Sequence, residues 1–297
     1  MTTAIPVRLR SRLVLTLASL AGLAAFVWPL MISPRGDADG QSADAPLIFL
    51  LTLPVLVVVV LAEVSSGGID SKALALLGVL SAVNAALRPL GAGTAGIETV
   101  FFLLILSGRV FGPGFGFVLG STSLFASALL TAGVGPWLPF QMLAASWVGL
   151  GAGLLPARVR GRWEVAMLGA YGVLAAYAFG LLMNLSFWPF ATGSGTDLSY
   201  VAGAPVVENL QRFAVFTVVT STVGWDTGRA LTNLIAILLV GPAVLVALRR
   251  AARRAAFDVP VEFGATVAAP PRLGRPAGSE QLEHDSVGGA APGTAGP

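Results

Sequence analysis

Cysteine is absent from this 297-residue chain, and histidine and lysine each occur once. Without cysteine there is no disulfide, no thiolate metal site and no thiol nucleophile. The lone histidine, His284, stands in a polar C-terminal stretch, which argues against a Ser-His triad or a histidine metal cluster. Lys72 is the only lysine and no G-x-x-x-x-G-K-[ST] loop surrounds it. The chain is therefore not a P-loop ATPase, and ATP used on its behalf must be hydrolysed by another subunit. Charge is also scarce, at 11% of residues. A soluble domain carries about a quarter.

Apolar sequence is what remains. Hydrophobic residues make up 55% of the chain, and its mean hydropathy is +0.82. Several runs reach the roughly 17–25 residues that cross a bilayer as helix, and no short alternating strands suggest a barrel. The fold class is an all-α polytopic membrane protein whose Leu-, Val- and Ala-rich faces meet lipid. The net charge of +3 does not indicate nucleic acid, because the arginines gather at the ends of apolar runs.

Eight spans are expected. The first runs from Leu13 to Ile32 behind Arg8, Arg10 and Arg12, and the second from about Pro46 to Ala62. Ser65 to Asp70 forms a turn, and Asp70 or Ser71 can cap the next helix. The third spans Lys72 to about Leu87, and a short fourth spans about Ile97 to Phe111. Gly112-Pro-Gly-Phe-Gly116 turns the chain into a fifth that ends near Thr131. A Gly/Pro/Trp-rich hinge, Thr131 to Gln141, leads to the sixth, Leu138 to Leu155. The seventh runs from Trp163 to Phe187. A shorter helix over 206–222 precedes the eighth, about Thr227 to Leu248, which ends in Arg249, Arg250, Arg253 and Arg254. Three regions follow: residues 1–69 with two N-terminal spans, a membrane domain over 70–255, and a disordered tail over 256–297, rich in Pro, Gly and Ala. Basic clusters place both termini in the cytoplasm of a multi-pass cell-membrane protein.

Two kinds of residue stand out. Gly78, Ala82 and Ala86 recur every four positions on the third span, a spacing that suits internal packing or a docking partner helix. Gly112/Gly116/Gly120 and Ala145/Gly149/Gly153 repeat the spacing and read as internal packing. The second kind is polar or aromatic groups at the outer mouths of spans: Asn84 and Arg88, Trp137 and Gln141, Asn184 and Trp188, and Trp225, Asp226, Arg229 and Asn233. The tryptophans also suit an interfacial belt, and Asp226 with Arg229 also suits a local helix-end ion pair. Convergence of four spans on one pocket favours ligand binding. Glu63 and Glu98 read as helix-end markers.

From Ala73 onward the pattern resembles the substrate-binding S component of energy-coupling factor (ECF) vitamin transporters. The likeness is carried by the Leu74–Arg88 span, the short Glu98–Phe111 span, Ser107-Gly-Arg-Val-Phe-Gly-Pro-Gly-Phe-Gly116 and Gly135-Pro-Trp-Leu-Pro-Phe-Gln-Met142. Trp225-Asp-Thr-Gly-Arg-Ala-Leu-Thr-Asn233 with its arginine-rich end resembles actinobacterial members. The resemblance covers about residues 70–255. It implies a six-helix bundle, here with two extra N-terminal transmembrane helices, and a vitamin-sized pocket open to the outside. It also implies docking on a transmembrane coupling subunit driven by two ABC ATPases. Gly78, Ala82 and Ala86 would supply the docking face, which the extra helices could partly cover. Cobalamin or a corrinoid precursor leads among ligands, with riboflavin, thiamine precursors and queuosine precursors open. No cofactor and no metal are expected.

Two competing readings fit less well. A stand-alone secondary transporter or permease needs a midplane coupling-ion site, whereas these acids stand near span ends. A membrane enzyme needs clustered His, Asp or Glu at one depth. The topology is testable, since the chain has no cysteine of its own. A single cysteine at Ser42 or Ser194 should react with a membrane-impermeant maleimide from outside the cell. Reaction only from the cytoplasmic side would contradict the eight-span arrangement.

Overall fold

Residues 100–111 read VFFLLILSGRVF, apolar on nearly every side. A helix of that kind has no face to offer water and belongs inside other helices. The computed structural model places it there. It describes residues 9–31, 71–91, 96–135, 137–191, 196–201 and 203–255, together with Val55, all within one unit, Met1–Val259. The predicted second span, Pro46–Ala62, the turn at 65–70 and the tail 256–297 lie outside the described residues, Val55 apart.

Nine α-helices are described: α1 (Leu9–Met31), α2 (Ser71–Leu87), α3 (Val100–Phe111), α4 (Pro113–Leu130), α5 (Leu138–Leu154), α6 (Arg162–Ala191), α7 (Val206–Thr217), α8 (Thr227–Leu239) and α9 (Gly241–Ala255). Among the described residues there is no strand. Helix α3 has ten of its twelve residues buried and is enclosed by α2, α4, α5, α6, α8 and α9. Pro113–Leu130 and Arg162–Pro189 are individually long and apolar enough to cross a membrane. The bent pair Val206–Leu239 and Gly241–Arg254 adds a third if taken as one span, and α2, α3 and α5 are shorter apolar helices.

Small residues set how closely the central helices approach. A Cβ on Gly116 would overlap the Gly149 carbonyl, one on Gly120 would meet the Ser146 backbone, and one on Gly153 would meet Pro113. The two glycine-bearing stripes therefore face each other across α4 and α5. Close backbone approach is how helices gain dispersion contact where lipid is as apolar as the side chains. Ser121 and Ser146 hydrogen-bond across this contact at 2.7 Å. Gly112, at φ 104° and ψ 173°, makes the turn from α3 into α4. That conformation is essentially reserved for glycine, and Pro113 then starts the new helix at the position where its missing N–H costs nothing. Residues 112–116 are thus a helix–helix turn.

Helix α1 lies against α5 and α6. Phe26 is fully buried, edge-on to Phe140 at 5.1 Å, and the Trp147 Nε1–H donates to Ser19 Oγ at 2.9 Å. The face of α2 that carries Gly78, Ala82 and Ala86 is exposed, and among the described residues nothing lies within 4 Å of a Cβ built on Gly78.

The C-terminal part departs from expectation. The helix predicted over 206–222 and the start of the predicted eighth span form one continuous run, α7, then a π-helical segment Val218–Asp226, then α8. Wider i→i+5 backbone pairing bridges the two, as in the Thr227 N–H bond to the Thr222 carbonyl. The predicted eighth span, Thr227–Leu248, is in turn broken near Val240, where α9 bends 67° away. Gly241-Pro242 causes the break, because proline lacks the N–H and clashes with the carbonyl four residues back.

Glycine substitutions should separate the two kinds of face. Gly149→Ala should destabilise the bundle by about 1–3 kcal/mol through overpacking. Gly78→Ala should be neutral or stabilising by up to about 1 kcal/mol. Thermal unfolding of both variants in detergent checks this, and equal destabilisation would contradict it.

Candidate functional site

At one end of the bundle, Arg229 of α8 is held by two carboxylates from different elements. Its Nε–H donates to Glu98, just before α3, and its Nη1 donates to Asp226 Oδ1 at 2.9 Å. The guanidinium also lies over the Phe179 ring at 4.9 Å and the Phe101 ring at 5.7 Å. Asp226, only 1% exposed, accepts from Ser221 as well, and its carboxylate packs where any side chain on Gly180 of α6 would stand. Asn233, one turn beyond Arg229, donates to the Arg229 carbonyl at 2.8 Å and to the Glu98 carbonyl at 3.4 Å. Tyr177 and Thr227 hydrogen-bond at 3.0 Å between α6 and α8. Gly96, at φ +77°, lets the chain before α3 pass against the backbone of Trp225.

The predicted Asp226–Arg229 pair is present, but not at a helix end, because the π segment carries the helix through Asp226. The sequence reading missed Glu98 as the third member. It had marked that residue as a helix end only. A lone carboxylate at the mouth of α3 and a lone guanidinium near the start of α8, at one expected depth, was the signal that could have paired them.

A second group joins α2, α4 and α5. Arg88 Nη2 donates to Gln141 Oε1 at 3.0 Å, which links the end of α2 to the first turn of α5. Asn84, fully buried, donates to Ser123 Oγ at 3.0 Å. Trp137 remains 44% exposed at the start of α5, its ring folded over Gly135, which has no side chain to obstruct it. The hinge therefore presents an aromatic face one turn from Gln141.

Trp188 belongs to a third group. It is fully buried, donates to the Leu198 carbonyl at 2.7 Å, and touches Tyr200 and Phe213 at 5.4 Å each. It anchors the 196–201 segment and α7 on the end of α6, with Asn209 clamping both backbone groups of Val201. Trp225 is 46% exposed. The ten predicted ligand residues thus share one end of the bundle but divide among separate networks. Arg88 and Gln141 meet directly, as do Asp226, Arg229 and Asn233. Trp188 is committed to packing.

Among the described residues, six buried side-chain polar atoms have no hydrogen-bond partner. Three are amide atoms of the predicted set: Asn84 Oδ1, Asn184 Nδ2 and Asn233 Oδ1. A buried polar atom without a partner is costly, so amides left open at one end of a bundle are groups that a polar ligand can satisfy.

The opposite end carries a complementary cluster. Glu164, 2% exposed, accepts from Arg109 Nε and Arg249 Nη2, each at 2.7 Å. Arg109 also donates to the carbonyls of Leu155, Pro156 and Val159. Helix α3 is therefore tied at both ends. One arginine stands between two carboxylates at its start, and one carboxylate between two arginines at its finish.

A family model described as "ECF transporter, substrate-specific component" matches residues 72–224, just over half of the chain. The match runs from α2 into the π segment and stops short of Trp225, Asp226, Arg229 and Asn233. No curated protein and no solved structure matches the chain.

The two clusters predict an asymmetric mutational response. Glu98→Gln should cost about 1 kcal/mol, because Asp226 still balances Arg229. Arg229→Gln should cost about 3–5 kcal/mol, because it leaves the buried Asp226 and the partly buried Glu98 carboxylates without their cation. Thermal unfolding of the purified variants measures the difference. A Glu98 variant as unstable as the Arg229 variant would contradict it.

Proposed function

The chain belongs to the substrate-specific component family of ECF transporters, and from that premise we propose that it captures a vitamin or vitamin precursor outside the cell. Members of this family are multi-pass membrane transport proteins, not enzymes, and they associate with an ECF coupling and ATPase module. Within that frame, the ligand site is at the end of the bundle where Arg88, Gln141 and Trp137 stand together and where the Asn84, Asn184 and Asn233 amides each keep an unpaired atom. These open amides carry the reading. Asn84 Oδ1 and Asn233 Oδ1 would accept hydrogen bonds from the polar part of the ligand and Asn184 Nδ2 would donate one, and Trp137 and Trp225, each about half exposed, would cover planar parts. Asp226 and Arg229 stay in the proposed site as its charged wall, and Trp188 as its support.

The ligand is a large polar vitamin with planar portions, cobalamin or a corrinoid precursor first, in a chain of the actinobacterial type. The arginine-rich end around Arg158, Arg160, Arg162 and α9 faces the cytoplasm by the positive-inside rule, which puts the Arg88–Gln141 end outside and both termini inside. The exposed Gly78/Ala82/Ala86 face of α2 docks on the coupling subunit. Its open space at Gly78, and the packing of α1 on α5 and α6 instead, support that role.

Mass spectrometry of small molecules that co-purify with the protein identifies the ligand. Titration of that molecule against Gln141→Ala and Asn184→Ala then tests the site. Each loss of a buried hydrogen-bond partner should weaken binding roughly five- to a hundred-fold. Affinity within about twofold of the parent for both variants would place the pocket elsewhere. Ala82→Trp should abolish assembly with the coupling module and leave ligand affinity nearly unchanged. Normal assembly would remove α2 from the interface.

A further inference from the structure

Helix α9 bends 67° away from α8, packs against α3 and is strongly two-faced. Leu245 and Leu248 are buried against the bundle, and Arg250, Arg253 and Arg254 are exposed. Arg249 is used internally by Glu164. Among the described residues, none of the other three α9 arginines makes an ion pair. Ala243, Val246, Ala247, Arg250, Ala251 and Arg254 form one stripe along this helix. It is apolar toward the start of α9 and cationic toward its end. The neighbouring loop adds exposed Arg158 and Arg160, and the start of α6 adds Arg162, joined to α9 through the Arg249–Glu164 contact. Arg162 lies over the ring of Trp163, which is 66% exposed beside it. The other described carboxylates, Glu98, Asp197, Glu208 and Asp226, belong to the opposite end or to the α7 region.

We propose that this arginine-rich end is a binding surface for anionic phospholipid, with the headgroup phosphate on Arg250 and Arg254 and the first acyl carbons on Ala243, Val246 and Ala247. Charge complementarity selects the occupant. Among the described residues, this end carries six exposed guanidiniums and one carboxylate, Glu164, which is buried and already paired with two further arginines. An amphipathic helix with a basic end and a small apolar floor lies in the plane of a membrane interface, and an exposed tryptophan belongs at the same depth. Guanidinium–phosphate contact is a strong charge-assisted pairing, often bidentate. Arginine near an anionic surface contributes about fivefold in binding per charge. The contact would fix the orientation of α9 and, through Arg249 and Glu164, brace the finish of α3.

This surface role rests on the membrane reading above, but it is measured on the isolated full-length chain and needs neither the vitamin nor the coupling module. The purified protein in a neutral detergent is titrated with short-chain phosphatidylglycerol, with phosphatidylcholine and with inorganic phosphate, and retained lipid is counted by native mass spectrometry. The expected result is retention of phosphatidylglycerol over phosphatidylcholine, weakening with added salt, and no displacement by phosphate at equal concentration. A variant carrying Arg250→Gln, Arg253→Gln and Arg254→Gln should lose that preference by about tenfold or more. The corresponding Arg→Lys variant should keep most of it, which separates loss of charge from loss of fold. Equal retention of the two lipids, or an unchanged preference in the Gln variant, would overturn the assignment. So would a several-fold gain in phosphatidylglycerol binding when Glu280, Glu283 and Asp285 are neutralised, since the chain's own carboxylates would then be the occupant. A Gln variant that binds lipid normally but fails to assemble with the coupling module would instead make this a protein interface.

Discussion

A charged group inside a bilayer-spanning bundle is costly unless it is paired, and helix α3 meets such a group at each end. Near its start, Arg229 pairs with both Glu98 and Asp226. At its finish, Glu164 pairs with both Arg109 and Arg249. The helix between them is about 18 Å long at 1.5 Å per residue, well short of the roughly 30 Å hydrocarbon layer. It is viable because other helices enclose it. The two clusters draw on α6, α8 and α9, so the same contacts that hold α3 also set the register of those helices around it. Breaking either cluster leaves charged groups without their partner where they are poorly solvated.

That arrangement divides the labour at the acidic end. Arg229 is saturated by two carboxylates and two aromatic rings, so it serves first as a tie between α3 and α8. The groups with capacity to spare are different. Asn84, Asn184 and Asn233 each keep an open amide atom, Arg88 and Gln141 share a single hydrogen bond, and Trp137 shows nearly half its surface. A rigid clamp beside open amides suits a binding site, because the ligand meets preorganised partners. The π segment between α7 and α8 serves the clamp too, since it carries both Asp226 and the Ser221 hydroxyl that donates to it.

Much of the helical order was legible in sequence because apolar runs and glycine–proline turns are local signals. Gly112-Pro113 marked the α3–α4 turn, and the four-residue spacing of Gly116, Gly120, Gly149 and Gly153 marked a close interface. The continuity of α7 into α8 was not legible. The expected helix over 206–222 and the eighth span from Thr227 left residues 223–226 between them, but the helix runs through, with hydroxyl bonds from Thr220 and Thr227 to backbone carbonyls along it. The break at Gly241-Pro242 was written in the sequence, but the long apolar run concealed it. At the site, composition and position located the polar groups at one end. Which of them pair with each other depends on contacts across more than a hundred residues, such as Glu98 with Arg229, and no local pattern encodes those.

A structure of the chain with its co-purified ligand bound tests the account most directly. The account predicts ligand atoms within hydrogen-bond distance of Gln141 and the open amides, aromatic contact with Trp137, and an intact Glu98–Arg229–Asp226 cluster. A ligand inserted between Glu98 and Arg229, or bound at the arginine-rich end near α9, would contradict it.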